Sequence, residues 1–276
     1  MNTLARIALP TAFLFITLLP GFGDEEPLLI ESASKKLPLP GESFRLNGKE
    51  AFVILPEKTK APIAWVWYAP TLRGLPAKSE VWMFERFLAK GIAIAGIDVG
   101  ESYGSPDGRK AFSQLYRHLT TSKNFHPKPC LLARSRGGLM LYNWAVENPE
   151  KVSGIAGIYP VCNLESYPGL KRAAGPYHLS TAGLKDALAQ HNPIARLAPL
   201  AKARIPILHL HGDSDKVVPH AANTAILATR YRKLGGPIEV ELVKGQGHNM
   251  WNGWFQSKTL TDFVIKSALS GAGTGQ

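Results

Sequence analysis

The chain has 276 residues, of which 45% are hydrophobic and 19% are charged. This length and balance predict one globular domain with a sizeable core and exclude general disorder. The formal net charge is +11 at pH 7, but the Lys and Arg residues are scattered, and no nucleic-acid-binding motif occurs. We therefore predict a solvated basic surface and no nucleic-acid partner, while attraction to acidic polysaccharides stays open.

The N-terminal stretch MNTLARIALPTAFLFITLLPGFG, residues 1–23, is typical of a secretory signal peptide. Arg6 precedes an apolar run over residues 7–19 that is too short to span a bilayer comfortably. Small glycines near the end of the stretch predict cleavage before Asp24. The mature protein, residues 24–276, is then predicted to be secreted or periplasmic, with no stable membrane association. An uncleaved membrane anchor is the alternative.

The mature chain opens with a predicted antiparallel hairpin, because SFRLNGKEAFVILP alternates polar and apolar residues about the turn-forming pair Asn47-Gly48. Short apolar strands then alternate with helical segments: IAWVWYAP, a helix over 79–90, IAIAGIDV, a helix over 108–121, KPCLLARS, a helix after Arg136, VSGIAGIYPV, IPILHLHG, a helix over 221–234, IEVELVKG and a helix over 259–269. Strands that are apolar on both faces and separated by helices predict an α/β fold with a mostly parallel central sheet covered on both sides.

One segment interrupts this alternation. Residues 163–199 carry several Pro and Gly and lie between two strands that a short crossover would connect. We predict that this segment is a small lid inserted into the single domain.

The chain has two cysteines, Cys130 and Cys162. They fall near opposite ends of neighbouring predicted strands, which places them too far apart for disulfide geometry. We expect two buried thiols and no bridge.

Three polar residues follow strand ends, where ligands bind in an open parallel sheet. Ser135 follows KPCLLAR, Asp215 follows IPILHLHG, and His248 follows IEVELVKG. A serine hydroxyl needs an imidazole to take its proton and a carboxylate to orient that imidazole, so these residues predict a catalytic triad. The alternative is that Ser135 only caps a helix. Gly137-Gly138 argues against it, because two glycines weaken a first helical turn unless another backbone must approach closely.

Around these residues the sequence resembles the α/β-hydrolase fold family. ARSRG at 133–137 resembles its nucleophile elbow, HGDSDKVVP at 211–219 its acid turn, and Gly247-His248 its histidine turn. The resemblance extends from the hairpin to the last helix and is nearest to the esterase and peptidase branch, which includes dienelactone hydrolases and prolyl oligopeptidases. It implies acyl transfer to water through an acyl-serine, with no metal and no cofactor.

The resemblance also implies an oxyanion hole, for which this chain departs from the family pattern. The usual His-Gly after the third strand is replaced by YAPTL at 68–72. Because Pro70 has no N–H, we expect the donors to be the backbone N–H of Arg136 and that of either Thr71 or Leu72. The Arg136 side chain either lies near the oxyanion or a substrate carboxylate, or pairs with an acid on a helix surface. Glucuronoyl esterases, which are similar in their Ser-Arg pair, use that arginine near the oxyanion. Arg134 is predicted to be a surface arginine paired with an acid.

The motif HLHGDSD at 209–215 raises two questions: which aspartate is the catalytic acid, and whether the two histidines bind a metal. Asp213 competes with Asp215 for the acid role, but the family spacing favours Asp215 and leaves Asp213 to turn hydrogen bonds. His209 and His211 resemble the opening of a metallo-β-lactamase zinc site, but Ser214 stands at the next ligand position. Alternation along a buried strand explains both histidines without a metal.

Residues near the predicted cleft suggest the substrate. The candidates for substrate contact are Glu101, Tyr103, Tyr159, Tyr167, Trp251 and Trp254. Aromatic rings suit a sugar ring or an aromatic acyl group, although the two tryptophans alternatively pack the last helix. We predict a secreted serine esterase acting on a small-molecule or carbohydrate ester. The alternatives are a serine peptidase for short peptides, with Glu101 or Glu165 holding the amino terminus, and a non-catalytic binding protein. The oligomeric state is left open.

Overall fold

The computed structural model describes residues 28–272, so the predicted signal peptide lies outside the described residues. Nine strands of this region form one sheet in the order β1-β2-β3-β5-β4-β6-β7-β8-β9. The strands are β1 (Ile30–Ser32), β2 (Glu42–Leu46), β3 (Lys49–Ile54), β4 (Trp65–Ala69), β5 (Ala93–Ile97), β6 (Cys130–Arg134), β7 (Gly154–Ile158), β8 (Ile207–Gly212) and β9 (Ile238–Val243). The pairs from β1 to β5 are antiparallel, and those from β5 through β4 to β9 are parallel.

Helices connect the strands. They are α1 (Val81–Ala89), α2 (Pro106–Arg117), α3 (Gly137–Ala145), α4 (Leu170–Ala173), α5 (Thr181–Asp186), α6 (Leu188–His191), α7 (Ala198–Lys202), α8 (Thr224–Lys233), α9 (Asn252–Phe255) and α10 (Lys258–Ala272). Short 3₁₀ turns cover Lys78–Glu80, Pro149–Lys151, Pro193–Ala195 and His220–Ala222, and a π turn over His118–Ser122 extends α2. Within residues 28–272, no helix is both long and apolar enough to cross a membrane.

The predicted fold class is confirmed. Asn47 and Gly48 connect β2 to β3 with φ values of 50° and 77°, the left-handed conformation that a tight hairpin turn requires. The parallel strands and the long helices follow the predicted alternation, with ends shifted by a few residues. Apart from the 3₁₀ and π turns, the elements that were not predicted are β1, whose three residues are all exposed, the short helices α4 to α7, and the single turn α9. None of them is long enough to show a clear hydrophobic period.

The hydrophobic core lies on both faces of the sheet. Successive residues of β4 alternate between two clusters, because neighbouring side chains of a strand point to opposite faces. Trp65 and Trp67 belong to one cluster, which includes Trp144 of α3, whereas Val66 and Tyr68 belong to the other, which includes Val264 of α10. All of these side chains are at most 1% exposed. Burial on both faces explains why the parallel strands carry continuous apolar runs.

The segment over residues 163–199 contains α4, α5 and α6 and packs through a small apolar cluster of its own. Tyr177 from this segment donates a hydrogen bond to the carbonyl of Tyr103, at 2.9 Å, and contributes to the cluster with Leu139 of α3. The segment is therefore anchored beside the start of α3. Its role as a lid stays a prediction.

The cysteine prediction is confirmed. Cys130 begins β6 and Cys162 follows β7, and both are buried free thiols. Burial raises the pKa of each thiol far above its usual range, because it disfavours the thiolate.

Candidate active site

Ser135 occupies a sharp turn between β6 and α3. Its φ is 50°, a left-handed value that is uncommon for a residue with a side chain. Two backbone hydrogen bonds fix this turn to the neighbouring strand: Ser135 N donates to the Ile158 carbonyl at 3.0 Å, and Val161 N donates to the Ser135 carbonyl at 2.8 Å. The Ser135 hydroxyl lies 2.9 Å from Nε2 of His248, so its hydrogen bond goes to the imidazole and not to a helix amide.

The two glycines after the serine are explained by close approach of other backbone segments. A Cβ atom on Gly137 would lie 2.7 Å from the nitrogen of Pro70 and closer still to the carbonyl group of Ala69. A Cβ atom on Gly138 would lie 2.9 Å from the nitrogen of Val161. Ordinary contacts of a Cβ atom are 3.4–4 Å. Glycine at both positions therefore lets α3 begin against the loops that border the serine.

Asp215, His248 and Ser135 form one continuous hydrogen-bonded line. Nδ1 of His248 lies 2.8 Å from Oδ2 of Asp215. Because an ionised carboxylate only accepts hydrogen bonds, Nδ1 carries the proton, and Nε2 of the neutral ring is left to accept from the Ser135 hydroxyl. The parallel strands β6, β8 and β9 end at one edge of the sheet, which brings these three residues together.

The environment of Asp215 keeps its carboxyl ionised. Burial alone would favour the neutral acid, but the nearby His211 imidazole and the hydrogen bonds from His248 and the Val218 N–H outweigh it and hold the pKa of Asp215 well below its usual range. The N–H groups of Val217 and Val218 donate to Oδ1 at 2.9 and 2.8 Å. The carboxylate can therefore orient the imidazole and stabilise its protonated form.

A chain of buried hydrogen bonds lies behind the acid. His211 places Nε2 2.8 Å from the Val218 carbonyl, so this nitrogen is the donor and Nδ1 of the neutral ring is the acceptor. The Thr224 hydroxyl, 2.8 Å away, then donates to that Nδ1 and accepts from His209 Nδ1 at 3.0 Å. Nε2 of His209 accepts from the Tyr142 hydroxyl at 2.7 Å. Burial, followed by the neighbouring histidines, lowers the pKa of His209 to about 3, which keeps its ring neutral.

The structure separates the two aspartates of the acid turn. Oδ1 of Asp213 accepts hydrogen bonds from the Ser214 hydroxyl and the Gly245 N–H, both at 2.8 Å. Its carboxylate therefore links the turn after β8 to the turn after β9, whereas the carboxylate of Asp215 contacts the imidazole.

The loop after β4, which contains the two candidates for the second oxyanion donor, borders the cleft. Leu72 and Pro70 line the cleft at Ser135, whereas Thr71 is 2% exposed. Nζ of Lys35 donates to the carbonyls of Thr71 and Leu72, at 3.0 and 3.3 Å. Both carbonyls are thereby held by one ammonium group. Of the two predicted donors, Leu72 lines the cleft, and the choice between the two N–H groups stays a prediction.

The Arg136 side chain is paired with an acid, the second of its two predicted alternatives. Its guanidinium contacts the carboxylate of Glu101, and both side chains are partly exposed. The guanidinium also lies 5.8 Å from the ring centre of Tyr167. Glu101 and Tyr167, both predicted substrate contacts, are therefore brought together beside Ser135 through Arg136.

The prediction that Arg134 is a surface arginine is wrong. It ends β6, it lines the cleft, and its side chain is 12% exposed. Nη1 lies 2.6 Å from Oε1 of Glu80, a fully buried carboxylate that also accepts from the Tyr68 hydroxyl at 2.9 Å. Burial alone would lower the pKa of Arg134, but Tyr68, Tyr159 and Glu80 outweigh it and raise the pKa, so the guanidinium stays charged. No local pattern indicated this pair, since Glu80 directly precedes the first residue of α1, an ordinary helix.

The predicted aromatic contacts divide into lining and packing residues. Tyr159 lines the cleft, and its ring centre lies 4.3 Å from that of His248. Trp251 is 43% exposed, but it does not line the cleft. Trp254 is fully buried against Tyr159, and Tyr103 is 5% exposed in the cluster with Tyr177, so neither is positioned to contact a substrate. This corrects their predicted role: their rings stabilise the surrounding loops.

The cleft at Ser135 has a volume of about 210 Å³. The residues that line it are Pro70, Leu72, Leu75, Arg134, Ser135, Arg136, Tyr159, His248, Asn249 and Met250. Leu75, Asn249 and Met250 were not predicted as cleft residues, because they lie in loops that have no hydrophobic period. Asn249 and Met250 follow His248 directly, and this adjacency is the one signal that could have found them.

Comparisons with known proteins agree with this geometry. Residues 127–266 match the model of the prolyl oligopeptidase family. No curated protein matches the chain. Among solved structures, an S-formylglutathione hydrolase from Agrobacterium tumefaciens is similar with a TM-score of 0.66 and 14% identity, over 87% of this chain and 99% of that chain. Est1E from Butyrivibrio proteoclasticus has a TM-score of 0.60 and 15% identity, over 84% and 98%.

A third similar structure is a puromycin-hydrolyzing peptidase from Mycobacterium tuberculosis, with a TM-score of 0.61 and 15% identity. The match covers 83% of this chain but 38% of that chain. These structural likenesses establish the fold, and the family match covers half of the sequence, including all three residues of the hydrogen-bonded line. The chain belongs to the prolyl oligopeptidase family and is a serine hydrolase of the α/β-hydrolase fold.

Proposed function

We propose that the protein is a serine esterase in which Ser135 is the nucleophile, His248 the general base and Asp215 the residue that orients the base. The observation that carries this proposal is the unbroken line of hydrogen bonds, 2.9 Å from Ser135 to His248 and 2.8 Å from His248 to Asp215, at an open cleft. Such a line supplies an activated hydroxyl beside room for a small ester.

In the proposed reaction, Oγ of Ser135 attacks the ester carbonyl while Nε2 of His248 takes the hydroxyl proton. The N–H groups of Arg136 and Leu72 stabilise the negative charge that develops on the carbonyl oxygen. His248 then gives its proton to the departing alcohol oxygen, which leaves an acyl-serine. Water, deprotonated by the same imidazole, attacks the acyl-serine and releases the acid and the free enzyme.

The test is hydrolysis of p-nitrophenyl acetate and butyrate by the wild type and by Ser135→Ala. We expect the variant to lose at least about 10⁴-fold in kcat, because the nucleophile is removed. Asp213→Asn is the matched control for Asp215→Asn: the two carboxylates lie in one turn, but only Asp215 contacts the imidazole. Equal turnover by the wild type and Ser135→Ala would refute the proposal.

The alternative function, a peptidase for short peptides, is favoured by the family match. A peptidase that binds a charged amino terminus needs a free carboxylate near the nucleophile. Glu101 is paired with Arg136, Glu165 is exposed and does not line the cleft, and the residues that line the cleft include no acid. We therefore favour the ester. Comparison of aminoacyl p-nitroanilides with p-nitrophenyl esters distinguishes the two functions.

We further propose that the protein is exported and that its ester lies on a carbohydrate or another polymer component. The N-terminal signal pattern and the net charge of +11 support this proposal. A truncated carbohydrate esterase from gut microbiota is among the similar folds, at 17% identity. Mass spectrometry of the protein from a secreting host tests export, with an N-terminus at Asp24 as the expected result. Release of acetate from acetylated sugars tests the substrate.

A further inference from the structure

One wall of the cleft carries a buried, charged guanidinium next to the nucleophile. We propose that Arg134 is a specificity residue that binds an anionic group, a carboxylate, on the ester substrate. This inference rests on the proposed esterase function and deepens it by naming the substrate class.

The contacts of the Arg134 guanidinium differ in strength. Nη1 is held by the buried Glu80, whereas Nη2 lies 2.9 Å from Sδ of Met250. A thioether is a weak acceptor, and a hydrogen bond from a guanidinium to a carboxylate is about twice as strong as one between neutral groups. Met250 is 52% exposed and has a flexible side chain. A substrate carboxylate that displaced Met250 would therefore gain the stronger contact.

The charged side chains that line the cleft are also suited to binding an anion. Its lining includes two arginines and no Asp or Glu. The acids that neutralise these arginines contact them from outside the lining: Glu80 is completely buried, and Glu101 is partly exposed. The net charge of +11 adds long-range attraction for anions. A cationic substrate would meet the fixed guanidinium of Arg134 and no carboxylate in the lining of the cleft.

Arg134 is better suited to this role than Arg136. The Arg136–Glu101 pair is partly exposed, and such pairs are weak and mobile. Arg134 is fixed by Glu80, which itself accepts three further hydrogen bonds, from the Tyr68 hydroxyl, the Ala77 N–H and the Ser79 hydroxyl. A donor that is already fixed loses little freedom when it binds a ligand, which favours specificity.

The experiment measures kcat/KM for matched anionic and neutral esters. One pair places the charge on the acyl side: mono-p-nitrophenyl adipate and p-nitrophenyl hexanoate. The other pair places it on the alcohol side: meta-acetoxybenzoate and its methyl ester. In one of the pairs, we expect the wild-type kcat/KM to be at least about 10-fold higher for the anionic ester than for the neutral one. A hydrogen bond to a charged group contributes a free energy that corresponds to this ratio. The ratio within a pair does not depend on the amount of active enzyme.

The variants isolate the guanidinium. Arg134→Met alone would leave Glu80 buried and unpaired, which is strongly destabilising, so it is combined with Glu80→Gln. Glu80→Gln alone is the control for the lost carboxylate: it removes the counter-charge of Arg134 and is therefore compared only as folded protein, and it should keep the preference, because the glutamine oxygen still accepts from Arg134. The double variant should bring the ratio close to one. If the double variant does not fold, Arg134→Lys provides the test, since an ammonium group lacks the planar fork and should reduce the ratio several-fold.

The outcomes separate this inference from the proposed function. If neither the anionic nor the neutral esters are hydrolysed and a fluorophosphonate does not label Ser135, both are overturned. If neutral esters are hydrolysed through Ser135 but neither pair shows preference for the anion, the inference alone is overturned. A preference that survives unchanged in the folded double variant also overturns it.

Discussion

The substitution Gly137→Ala tests how closely the nucleophile turn and the oxyanion loop must approach. The added Cβ would overlap the carbonyl group of Ala69 and lie 2.7 Å from the nitrogen of Pro70, where ordinary contacts are 3.4–4 Å, so the two backbones must separate by more than about 0.7 Å. Overpacking of this kind costs up to about 3 kcal/mol. Alanine recovers about 1 kcal/mol through its higher helix propensity at the first position of α3. The net expected loss is about 2 kcal/mol, or about 4–8 °C in Tm for a domain of this size.

The same displacement should also lower kcat. Gly137 follows Arg136 directly, and Pro70 precedes the segment with Thr71 and Leu72, so the substitution moves both proposed sources of oxyanion donors apart. Loss of one donor costs about 10²–10³ in kcat. Urea unfolding and p-nitrophenyl butyrate hydrolysis measure the two effects. Gly175→Ala is the control, because its Cβ would meet nothing within 4 Å. Wild-type kcat in Gly137→Ala would refute the reasoning, as would equal losses in both variants.

Three further predictions concern groups around the line of hydrogen bonds. Lys35→Met should lower kcat about 10-fold with little change in KM, because the carbonyls of Thr71 and Leu72 lose their shared donor. Lys36→Met is the control, since Lys36 is an exposed neighbour, and it should leave kcat unchanged. Thr224→Val should lower the free energy of unfolding by about 2–4 kcal/mol in urea titrations, since it leaves two buried imidazole nitrogens unpaired; an unchanged midpoint would contradict the assigned hydrogen bonds. The depressed pKa of Asp215 should stabilise the protein above its unfolded value of 3.8, and this stabilisation should be lost as pH falls below that value. The difference in unfolding free energy between the wild type and Asp215→Asn should therefore shrink below pH 3.8, and a difference independent of pH would contradict it.

The fold and the placement of the three polar residues could be predicted because each rests on a local pattern. Apolar runs marked the buried strands, and strand direction placed the residues after their carboxyl ends at one edge. The pair Gly137-Gly138 indicated close backbone approach before any neighbouring segment was known, and the structure identifies those segments as the residues around Pro70 and Val161. In each of these cases, the residues that form the structural feature are also the residues whose pattern predicts it.

The rest of the cleft lining could not be predicted, because it depends on contacts between residues distant in sequence. Arg134 and Glu80 are 54 positions apart, and nothing near either residue indicates that the carboxylate is buried. Trp254 and Tyr103 were predicted from their proximity to the strand ends, but proximity does not determine whether a ring points into the cleft or into the core. Loop residues such as Met250 belong to no helix or strand, so no hydrophobic periodicity predicts the direction of their side chains.

The two arginines that flank Ser135 show how such distant contacts determine selectivity. They lie on either side of the serine in sequence, yet one is tied to a fully buried carboxylate and the other to a partly exposed one. The exposed pair can open to solvent at little cost, so Arg136 contributes a mobile charge. The buried pair cannot open without leaving an unpaired charge in the core, so the guanidinium of Arg134 stays where the strand places it. Preorganised donors distinguish ligands better than mobile ones, and charge selectivity in this cleft therefore follows from the burial of Glu80 more than from the number of arginines at its rim.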